Sequence, residues 1–315
     1  MISVAMALYN STRFIEEQLD SIRTQTVPVD EVVMIDDCSA DGTVNYVKDY
    51  ISKYNLKNWK IERHERNRGY IDTFFDAIKG CSGNIVILGD HDDIWIQDKV
   101  NMIQRAFTET PEMLVLATGF ERIDENGNVV PVKLKRGHSN NNLIRRAVNP
   151  NALNKMSLYD VAIYNISPGC TCAISSKIKE EFLGRRCALP HDWTLTILAA
   201  CHDGLYYLDK PTTKYRIYDK NTIGLGHESN YEKRKKDVHS NFLEKQAMMS
   251  LISDYYDITS RKYKYCEKVT EVFTLRDQAM ETGRIGKSFS ALIRSGGLGH
   301  LYESSAMDLI TLIRR

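Results

Sequence analysis

The sequence predicts an α/β protein with a mostly parallel sheet, helices on both faces, and a C-terminal helical extension. Over residues 2–107, short runs rich in valine and isoleucine alternate with stretches whose apolar residues recur at helical spacing. Each run stops abruptly at a cluster of polar residues. Residues 228–315 begin with a polar stretch and continue with a sequence pattern typical of helices. Apolar strands that alternate with helices are typical of a parallel sheet covered on both faces.

Four strands and four helices are expected in this first part of the chain. The strands are the apolar runs at residues 2–8, 31–35, 59–62 and 85–88, of which the third is the weakest. The helices are expected at residues 12–23, 41–53, 70–78 and 99–107. In the first helix the apolar residues fall on one face, namely Phe14, Ile15, Leu19 and Ile22. Each strand is thus followed by a helix that can cover the sheet.

The run at residues 85–88 ends in an acidic cluster. Gly89 is followed by Asp90, Asp92 and Asp93. Three carboxylates within four residues repel one another unless a cation lies among them, and hard oxygen ligands suit Mg²⁺ or Mn²⁺. Such ions most often hold a phosphate or diphosphate. The alternative is an acidic turn that caps the next helix.

Polar clusters also follow the other three strands. They are Tyr9-Asn10-Ser11, Asp36-Asp37-Cys38-Ser39 and the segment 64–69. In open α/β sheets ligands bind outside the carboxyl ends of the strands, so four such clusters indicate a nucleotide site. Two glycine-rich phosphate-binding motifs are absent. The P-loop pattern G-x-x-x-x-G-K-[ST] would need a glycine five residues before Gly286-Lys287-Ser288, where Glu281 stands. The dinucleotide-binding pattern G-x-G-x-x-G does not follow the first strand. The acidic cluster with a divalent ion is therefore the available phosphate holder.

The motifs MALYN (6–10), VVMIDDCSADGT (32–43), NRGY (67–70) and GDHDDIW (89–95) occur in the order that resembles family 2 glycosyltransferases. Within that family the chain is similar to the rhamnosyltransferase-like branch, where Ile-Trp follows the acidic motif. Later signatures resemble the same branch: NISPGCT (165–171), Pro190-His191-Asp192-Trp193, and Tyr215-Arg216 with Asn221 and Gly224. The resemblance covers residues 1–226 and implies the GT-A, nucleotide-diphospho-sugar transferase fold with its Rossmann-like sheet.

The resemblance implies a set of donor-binding residues, namely Ala7, Leu8, Tyr9, Asn10, Asp37, Arg66, Gly69, Asp90 and His91. Asp37 resembles the carboxylate that accepts the imide N–H of a pyrimidine, and the alternative is a helix cap. Arg66 and Arg68 either reach the diphosphate or are simply solvated. Gly69 permits close approach of the backbone to the sugar nucleotide.

Asp90, together with Asp92, resembles the D-x-D pair that binds the metal. His91 stands between them where a neutral amide is more usual. Some relatives carry a further histidine ligand two residues after the Tyr-Arg pair. Here Ile217 and Tyr218 follow that pair, so a third protein ligand is not expected there, and a phenol contributes at most a hydrogen bond.

Asp192 matches the general base of the family. It opens a predicted apolar helix at residues 193–200, so the alternative is an N-cap. His191 either orients Asp192 or lines the donor pocket. Trp193 either stacks on a sugar face or packs in the core.

The function implied is an inverting, metal-dependent transfer of a sugar to a hydroxyl of a growing cell-surface polysaccharide on a lipid carrier, or of another glycan. The donor is expected to be dTDP-linked, rhamnose among the candidates, or UDP-linked. The alternatives are a non-catalytic scaffold that binds sugar nucleotides and a nucleotidyltransferase. The scaffold would need neither the acidic motif nor Asp192. The nucleotidyltransferase would need a glycine-rich loop that residues 6–18 lack.

Composition bears on the binding partners and the cellular location of the protein. A net charge of +1 argues against electrostatic binding of nucleic acid. Seven cysteines without a secretory signal indicate reduced thiols and a cytoplasmic location, and Cys170 and Cys172 lack the partners of a zinc site. No apolar run reaches the roughly 18 to 20 residues that span a bilayer.

Two segments stand apart from the expected core. Residues 133–155 are basic and rich in asparagine, and we expect a mobile segment over the acceptor side. We divide the chain into a catalytic domain, residues 1–226, and a helical extension, residues 227–315. The extension is expected to be a pair of helices that pack on the catalytic domain. Alternatively it associates with itself or with the inner face of the cell membrane, because the apolar Leu309, Ile310, Leu312 and Ile313 lie beside Arg314 and Arg315.

Overall fold

The computed structural model describes residues 1–218, 231–298 and 300–313. The chain forms two units. The first comprises Met1–Ser157, Asn165–Arg186 and the chain from Pro190 through the last strand. The second comprises Leu158–Tyr164, Cys187–Leu189 and the C-terminal helices. The boundary expected between residues 226 and 227 lies outside the described residues, as do Asn221 and Gly224 of the third late signature.

A nine-stranded sheet runs through the first unit. Within the ranges described above, its strands are β1 Ile2–Leu8, β2 Glu31–Asp36, β3 Trp59–Arg63, β4 Ile85–Asp90, β5 Ile94–Trp95, β6 Val115–Ile123, β7 Leu153–Lys155, β8 Cys172–Ser175 and β9 Leu205–Arg216. Neighbouring strands follow the order β3-β2-β1-β4-β8-β6-β9-β5, and β7 pairs with β9.

The helices alternate with the strands over the first half of the chain. They are α1 Ile15–Arg23, α2 Thr43–Lys53, α3 Tyr70–Gly80, α4 Lys99–Glu109, α5 Leu158–Val161, α6 Ser176–Leu183, α7 His191–Cys201, α8 Tyr231–Ile252, α9 Arg261–Thr282, α10 Ile285–Arg294 and α11 His300–Ile313. Short 3₁₀ turns occur at Asn140–Asn142 and Gly169–Thr171.

The first four strands form the parallel half of the sheet, as predicted. β1 pairs in parallel with β2 and β4, and β2 pairs in parallel with β3. Each begins at the expected residue and ends at most two residues beyond the expected end. Val4, Val32 and Ile87, in β1, β2 and β4, are fully buried, whereas most of β3 is exposed. Burial on both faces explains why β1, β2 and β4 consist of continuous apolar runs rather than alternating ones.

Beyond β4 the sheet is mixed, and its strands there are additional to the four that were predicted. β8 is antiparallel to both β4 and β6. β9 is parallel to β6 but antiparallel to β5 and β7. β5, β7 and β8 contain only two to four residues each. Runs this short are too brief to show a periodic pattern in the sequence. Antiparallel strands can also be joined without a helical crossover, so no predicted helix indicates where they lie.

The predicted helices are present, and they bury the predicted faces. α1 begins at Ile15, later than expected, and buries Ile15, Leu19 and Ile22. α7 differs from the others because nearly every residue from His191 to Ala200 is buried. Asp192 is the exception in that stretch and remains partly exposed. Its helix therefore presents one carboxylate from an otherwise enclosed first turn.

The second unit is helical and larger than the expected pair of helices. Its described part consists of α5 and α8–α11, whose apolar side chains form a core that includes Val269, Phe273 and Leu301. The fully buried Asp308 pairs with Arg234 and Arg276. No helix in the described ranges combines the length and the apolar character needed to cross a bilayer.

Candidate active site at the carboxyl edge of the sheet

Three acidic side chains follow β4 where it leaves the sheet. Asp90 is the last residue of β4 and lies beside Ala7 near the end of β1. Asp92 and Asp93 continue the chain, and His91 between them has a buried Nδ1 without a hydrogen-bond partner in the described part of the chain. Because β1 lies between β2 and β4, the residues that follow these three strands share one edge of the sheet.

Asp90, Asp93 and Cys170 form a cluster whose donor atoms suit a metal ion. One ligand atom from each lies within 4.8 Å of the other two. Asp93 is fully buried, and its Oδ2 has no hydrogen-bond partner among the described residues. A buried carboxylate oxygen without a partner is costly, and a divalent cation would satisfy it. The two carboxylates fit Mg²⁺ or Mn²⁺, whereas the thiol is a softer ligand that these ions bind weakly.

Mutual repulsion shows in the pKa values of these carboxyl groups. Burial and the charge of Asp92 raise the pKa of Asp93 to about 7. Burial, and then the charges of Asp93, Asp92 and Asp192, raises the pKa of Asp90 well above its ordinary value. Asp192 thus lies close enough to act electrostatically on Asp90. The acidic cluster and the candidate base therefore belong to one site.

Asp92 lies outside the three-residue cluster and is held by β9 and the residues after it. The Tyr218 hydroxyl donates to Asp92 Oδ2 at 2.8 Å, and Arg216 Nε donates to the Asp92 carbonyl at 2.8 Å. The Tyr218 ring packs edge-on against Phe14 with centroids 5.1 Å apart. The phenol thus makes a hydrogen bond to a candidate metal ligand, and the backbone of that ligand is fixed separately.

The buried Arg216 ties the acidic loop to two other segments. Its backbone N–H donates to Asp93 Oδ1 at 3.0 Å. Its Nη2 lies 2.8 Å from Glu17 Oε2, and its Nη1 donates to the Glu125 carbonyl at 3.0 Å. The guanidinium also lies 4.4 Å from the Phe14 ring centroid. A buried guanidinium is tolerated when its donors are satisfied, so Arg216 holds the loop in one conformation.

A buried lysine, which the sequence analysis did not single out, lies behind the cluster. Lys99 Nζ donates to the Cys170 carbonyl at 2.7 Å and to Thr213 Oγ1 at 2.8 Å. It also lies 4.1 Å from the Trp95 ring. Burial lowers the pKa of Lys99 to about 8, although the nearby acidic groups act to raise it. Its partial positive charge offsets part of the repulsion between Asp90 and Asp93.

Asp192 is oriented by two hydrogen bonds. Asn165 Nδ2 donates to Asp192 Oδ2 at 2.9 Å, and the Trp193 N–H donates to Asp192 Oδ1 at 2.8 Å. Pro190, not Asp192, is the N-cap residue of α7. The expected alternative of an N-cap therefore does not describe Asp192. Gly169 lies against this turn, since a Cβ there would meet Asp192 Cβ at 3.4 Å.

His191 and Trp193 flank Asp192 and are both buried. The His191 ring stacks on Phe74, with centroids 3.9 Å apart and an interplanar angle of 22°. Neither ring nitrogen of His191 has a hydrogen-bond partner among the described residues. Burial lowers the pKa of His191 to about 3, so the imidazole is neutral at ordinary pH. Trp193 is 4% exposed and packs within the unit.

Asp37 organises the loop after β3. Its Oδ1 accepts the Arg68 N–H at 2.8 Å and lies 2.9 Å from His64 Nδ1, and its Oδ2 accepts the Gly69 N–H at 2.8 Å. Burial acts to raise the pKa of Asp37, but these hydrogen bonds outweigh it and lower the pKa below its ordinary value. The carboxylate is therefore ionised and already has three donors. Gly69 has φ +83°, which a residue with a Cβ adopts only with strain.

The two arginines of this loop differ in surroundings. Arg68 pairs with Asp76 at 2.6 Å and with Asp72 at 3.4 Å, so it is not simply solvated. Arg66 is exposed and helps to line an open cavity of about 570 Å³. The cavity is also lined by Arg63, His64, Glu65 and Arg68. Its arginine-rich wall suits an anion such as a diphosphate.

The residues after β1 form a turn stabilised by the loop after β2. The Asn10 N–H donates to Ser39 Oγ at 2.9 Å, and Asn10 Oδ1 accepts the Ala40 N–H at 3.0 Å. Asn10 has φ +49°, a conformation that asparagine tolerates better than most residues. The Leu8 carbonyl accepts the Asp37 N–H at 2.8 Å. Tyr9 is 49% exposed at this edge.

Comparison with known proteins decides the family. Residues 3–166, more than half of the chain, match the glycosyl transferase family 2 domain. The chain belongs to glycosyltransferase family 2. It is 26% identical over 231 residues to the dTDP-rhamnosyl transferase RfbG of Shigella flexneri, covering 70% of this chain and 73% of RfbG.

A second relative of the family 2 chain shares a shorter region. The poly(ribitol-phosphate) β-N-acetylglucosaminyltransferase TarS of Staphylococcus aureus is 34% identical over 131 residues, which is 41% of this chain. The match spans 22% of the length of TarS.

Solved structures show the same fold. TarS 1–349 of S. aureus in complex with UDP-GlcNAc superposes with a TM-score of 0.61 at 19% identity, covering 99% of this chain and 89% of that chain. The mannosyltransferase PcManGT of Pyrobaculum calidifontis, in complex with GDP-Man and Mn²⁺, gives a TM-score of 0.55 at 17% identity, covering 99% and 84%. The GT-A fold predicted from the motifs is thereby confirmed.

The buried neutral His191 predicts a loss of stability in acid. Its pKa is about 3 in the folded protein and about 6.5 when unfolded, so between these values the unfolded chain binds the extra proton. Stability should therefore fall as the pH drops below about 6.5, by roughly 2 kcal/mol between pH 7 and pH 5. In His191→Leu the free energy of unfolding, measured with urea at pH 7 and pH 5, should fall less than in the wild type, because the contribution of His191 is absent. Equal losses in the two proteins would contradict the assignment.

Proposed function

We propose that this chain is an inverting, metal-dependent glycosyltransferase. It moves a sugar from a nucleotide-diphosphate donor to a hydroxyl group of a growing cell-surface polysaccharide or another glycan. One arrangement carries the proposal: a Cβ at Gly169 would meet Asp192 Cβ at 3.4 Å, and the next residue, Cys170, clusters with Asp90 and Asp93, so a candidate base and an acidic cluster share one site. An inverting transfer needs both, because one group takes a proton while charge on the leaving diphosphate is neutralised.

Asp192 is proposed to take the proton from the acceptor hydroxyl as that oxygen attacks the anomeric carbon. Asn165 Nδ2 donates to Asp192 Oδ2, and the Trp193 N–H donates to Asp192 Oδ1. A carboxylate oxygen has two lone pairs, so the carboxylate can accept the hydroxyl proton without losing these bonds. Attack from the face opposite the leaving group inverts the configuration. No protein nucleophile is required.

The divalent ion, Mg²⁺ or Mn²⁺, is proposed to be held by Asp90 with Asp92, the pair expected from the motif. Asp93 is a further candidate ligand, because its Oδ2 is buried without a partner in the described ranges. When bound, the ion supplies positive charge that stabilises the departing diphosphate. Arg216 and Tyr218 keep the backbone of the acidic loop and the Asp92 carboxylate in place.

The donor is proposed to be a dTDP- or UDP-linked sugar, with rhamnose among the candidates. RfbG is named for dTDP-rhamnosyl transfer and the TarS structure contains UDP-GlcNAc, so both relatives point to a pyrimidine nucleotide. Among the described residues Asp37 Oδ2 accepts the Gly69 N–H, and it retains a lone pair for the imide N–H of the base. Arg66 is proposed to contact the diphosphate. Residues 1–226 would form the catalytic domain.

We further propose a cytoplasmic protein with a peripheral contact at the inner face of the cell membrane. The support comes from α10 in the helical extension, residues 227–315. Its buried face is formed by Ser288 and Ala291, whereas Ile285, Phe289 and Ile293 are 48%, 53% and 67% exposed. These three residues recur every four positions and form one apolar stripe.

Basic residues flank that stripe, as in helices that lie at a bilayer surface. Arg284 and Arg294 are exposed at its two ends, and no acidic residue occurs between them. This pattern complements anionic lipid headgroups. In the segment 309–313 that we expected to make this contact, Leu312 is buried and Ile310 and Ile313 are exposed. Arg314 and Arg315 lie outside the described residues.

Replacing Asp192 tests the mechanism. Asp192→Asn keeps the size of the side chain but removes its basicity, so sugar transfer should fall by roughly 10² to 10⁴ while UDP affinity and thermal stability stay nearly unchanged. Asp98→Asn, at the start of α4, serves as the control for the loss of one carboxylate at a helix start. A loss of stability with full activity per folded molecule would show that Asp192 is structural.

Vesicle binding tests the membrane contact. The protein should sediment with vesicles containing phosphatidylglycerol, and Phe289→Ser with Ile293→Ser should weaken binding by about tenfold because apolar area is lost. Ile258→Ser replaces a residue that is 67% exposed and lies outside α10, and it should have no effect. Undiminished binding by the double variant would contradict the proposal. A dimer that the double variant loses would assign the stripe to self-association instead.

A further inference from the structure

The segment 133–155 concentrates positive charge beside the candidate base. It contains six basic residues and no acidic residue, whereas the whole chain has a net charge of +1. All six side chains are exposed: Lys133, Lys135, Arg136, Arg145, Arg146 and Lys155. A local excess of positive charge on exposed side chains attracts anions.

Three consecutive asparagines form a turn within the segment. Asn140, Asn141 and Asn142 have φ values of +47°, +55° and +72°. Asn141 Nδ2 donates to the Phe120 carbonyl of β6 at 2.9 Å, and Asn142 Nδ2 donates to the Lys133 carbonyl at 3.1 Å. The side chains of these residues therefore fasten the basic segment to the sheet and to itself.

The same segment is connected to Asp192 through a short series of hydrogen bonds. Asn140 Nδ2 donates to the Ile166 carbonyl at 2.7 Å. The Ile166 N–H donates to Asn165 Oδ1 at 2.9 Å, and Asn165 Nδ2 donates to Asp192 Oδ2 at 2.9 Å. The basic segment is thus anchored next to the residue that orients the candidate base. A loop fixed in this position by a rigid sheet is well placed to bind a substrate.

We propose that the segment 133–155 binds an acceptor that carries phosphate groups. Three of its six basic residues are arginines, whose planar guanidinium matches phosphate oxygens in a bidentate manner. The phosphate belongs either to phosphodiesters within a polymer or to a diphosphate that joins a glycan to a lipid. The inference rests on the proposed function, since it assigns the chemistry of the acceptor whose hydroxyl Asp192 activates.

The donor diphosphate has separate candidate contacts, which makes the two proposals distinguishable. Arg66 lies in the loop after β3, and the acidic cluster follows β4. Neither belongs to the segment 133–155. Reversing charge in the segment should therefore weaken acceptor binding and leave nucleotide binding intact.

The test compares two double variants of the full chain with the same change in net charge. Lys133→Glu with Arg136→Glu reverses two exposed side chains and keeps the backbone carbonyls that accept hydrogen bonds from Asn142 and His138. Lys48→Glu with Lys177→Glu reverses two exposed lysines on α2 and α6 and serves as the control. Binding of a poly(glycerol phosphate) oligomer, of a short-chain polyprenyl diphosphate and of UDP is measured by calorimetry at low and high salt.

The wild-type protein and the control should bind at least one phosphate probe, and the first variant should bind it about tenfold more weakly. The probe that binds identifies the source of the phosphate. UDP affinity should be equal in all three proteins. Equal binding of the phosphate probes by the two variants, or equal binding of polygalacturonate or neutral dextran by the wild type, would overturn the inference. Absence of binding of UDP, and of dTDP measured in the same way, in the wild type would instead overturn the proposed function.

Discussion

Repulsion among the carboxyl groups after β4 is the constraint on which the arrangement of the site depends. Asp90 and Asp93 lie close together, and burial together with neighbouring negative charge raises the pKa of both groups. Gathering carboxylates in a partly buried place opposes folding unless other groups compensate. Arg216, Tyr218 and Lys99 supply that compensation from β9, the residues after it and α4. Much of the polar structure around the sheet edge follows from this requirement.

The parallel half of the sheet brings the compensating and reactive groups to one edge. β1 lies between β2 and β4, so the residues after all three strands meet there. The mixed half of the sheet also contributes residues to the site: Arg216 is the last residue of β9, and Cys170 lies in the turn before β8. Asp192 reaches the site from the first turn of α7, a helix enclosed on nearly all sides. Rigid elements thus hold each group.

The sequence predicted structure correctly where a pattern of residues depends on a single strand or helix. Apolar runs located β1, β2 and β4 to within two residues, because strands buried on both faces consist mainly of apolar residues, whereas β3 is mostly exposed and gave a weaker signal. Short strands such as β5 and β7 carried no such signal. The contacts by which Lys99 and Arg216 stabilise the acidic loop could not be predicted either, because their partners are distant in the sequence. The motifs located Asp37, but not the three donors that already occupy it.

Activity in the presence and absence of a divalent ion tests the central claim most directly. Sugar transfer by the wild-type protein should stop in excess EDTA and return with Mn²⁺ or Mg²⁺, because the clustered carboxylates need a cation to bind the donor diphosphate. Asp92→Ala should be inactive with or without the metal, whereas Asp49→Ala, an exposed change on α2, should behave as the wild type. Full wild-type activity in excess EDTA would contradict the account.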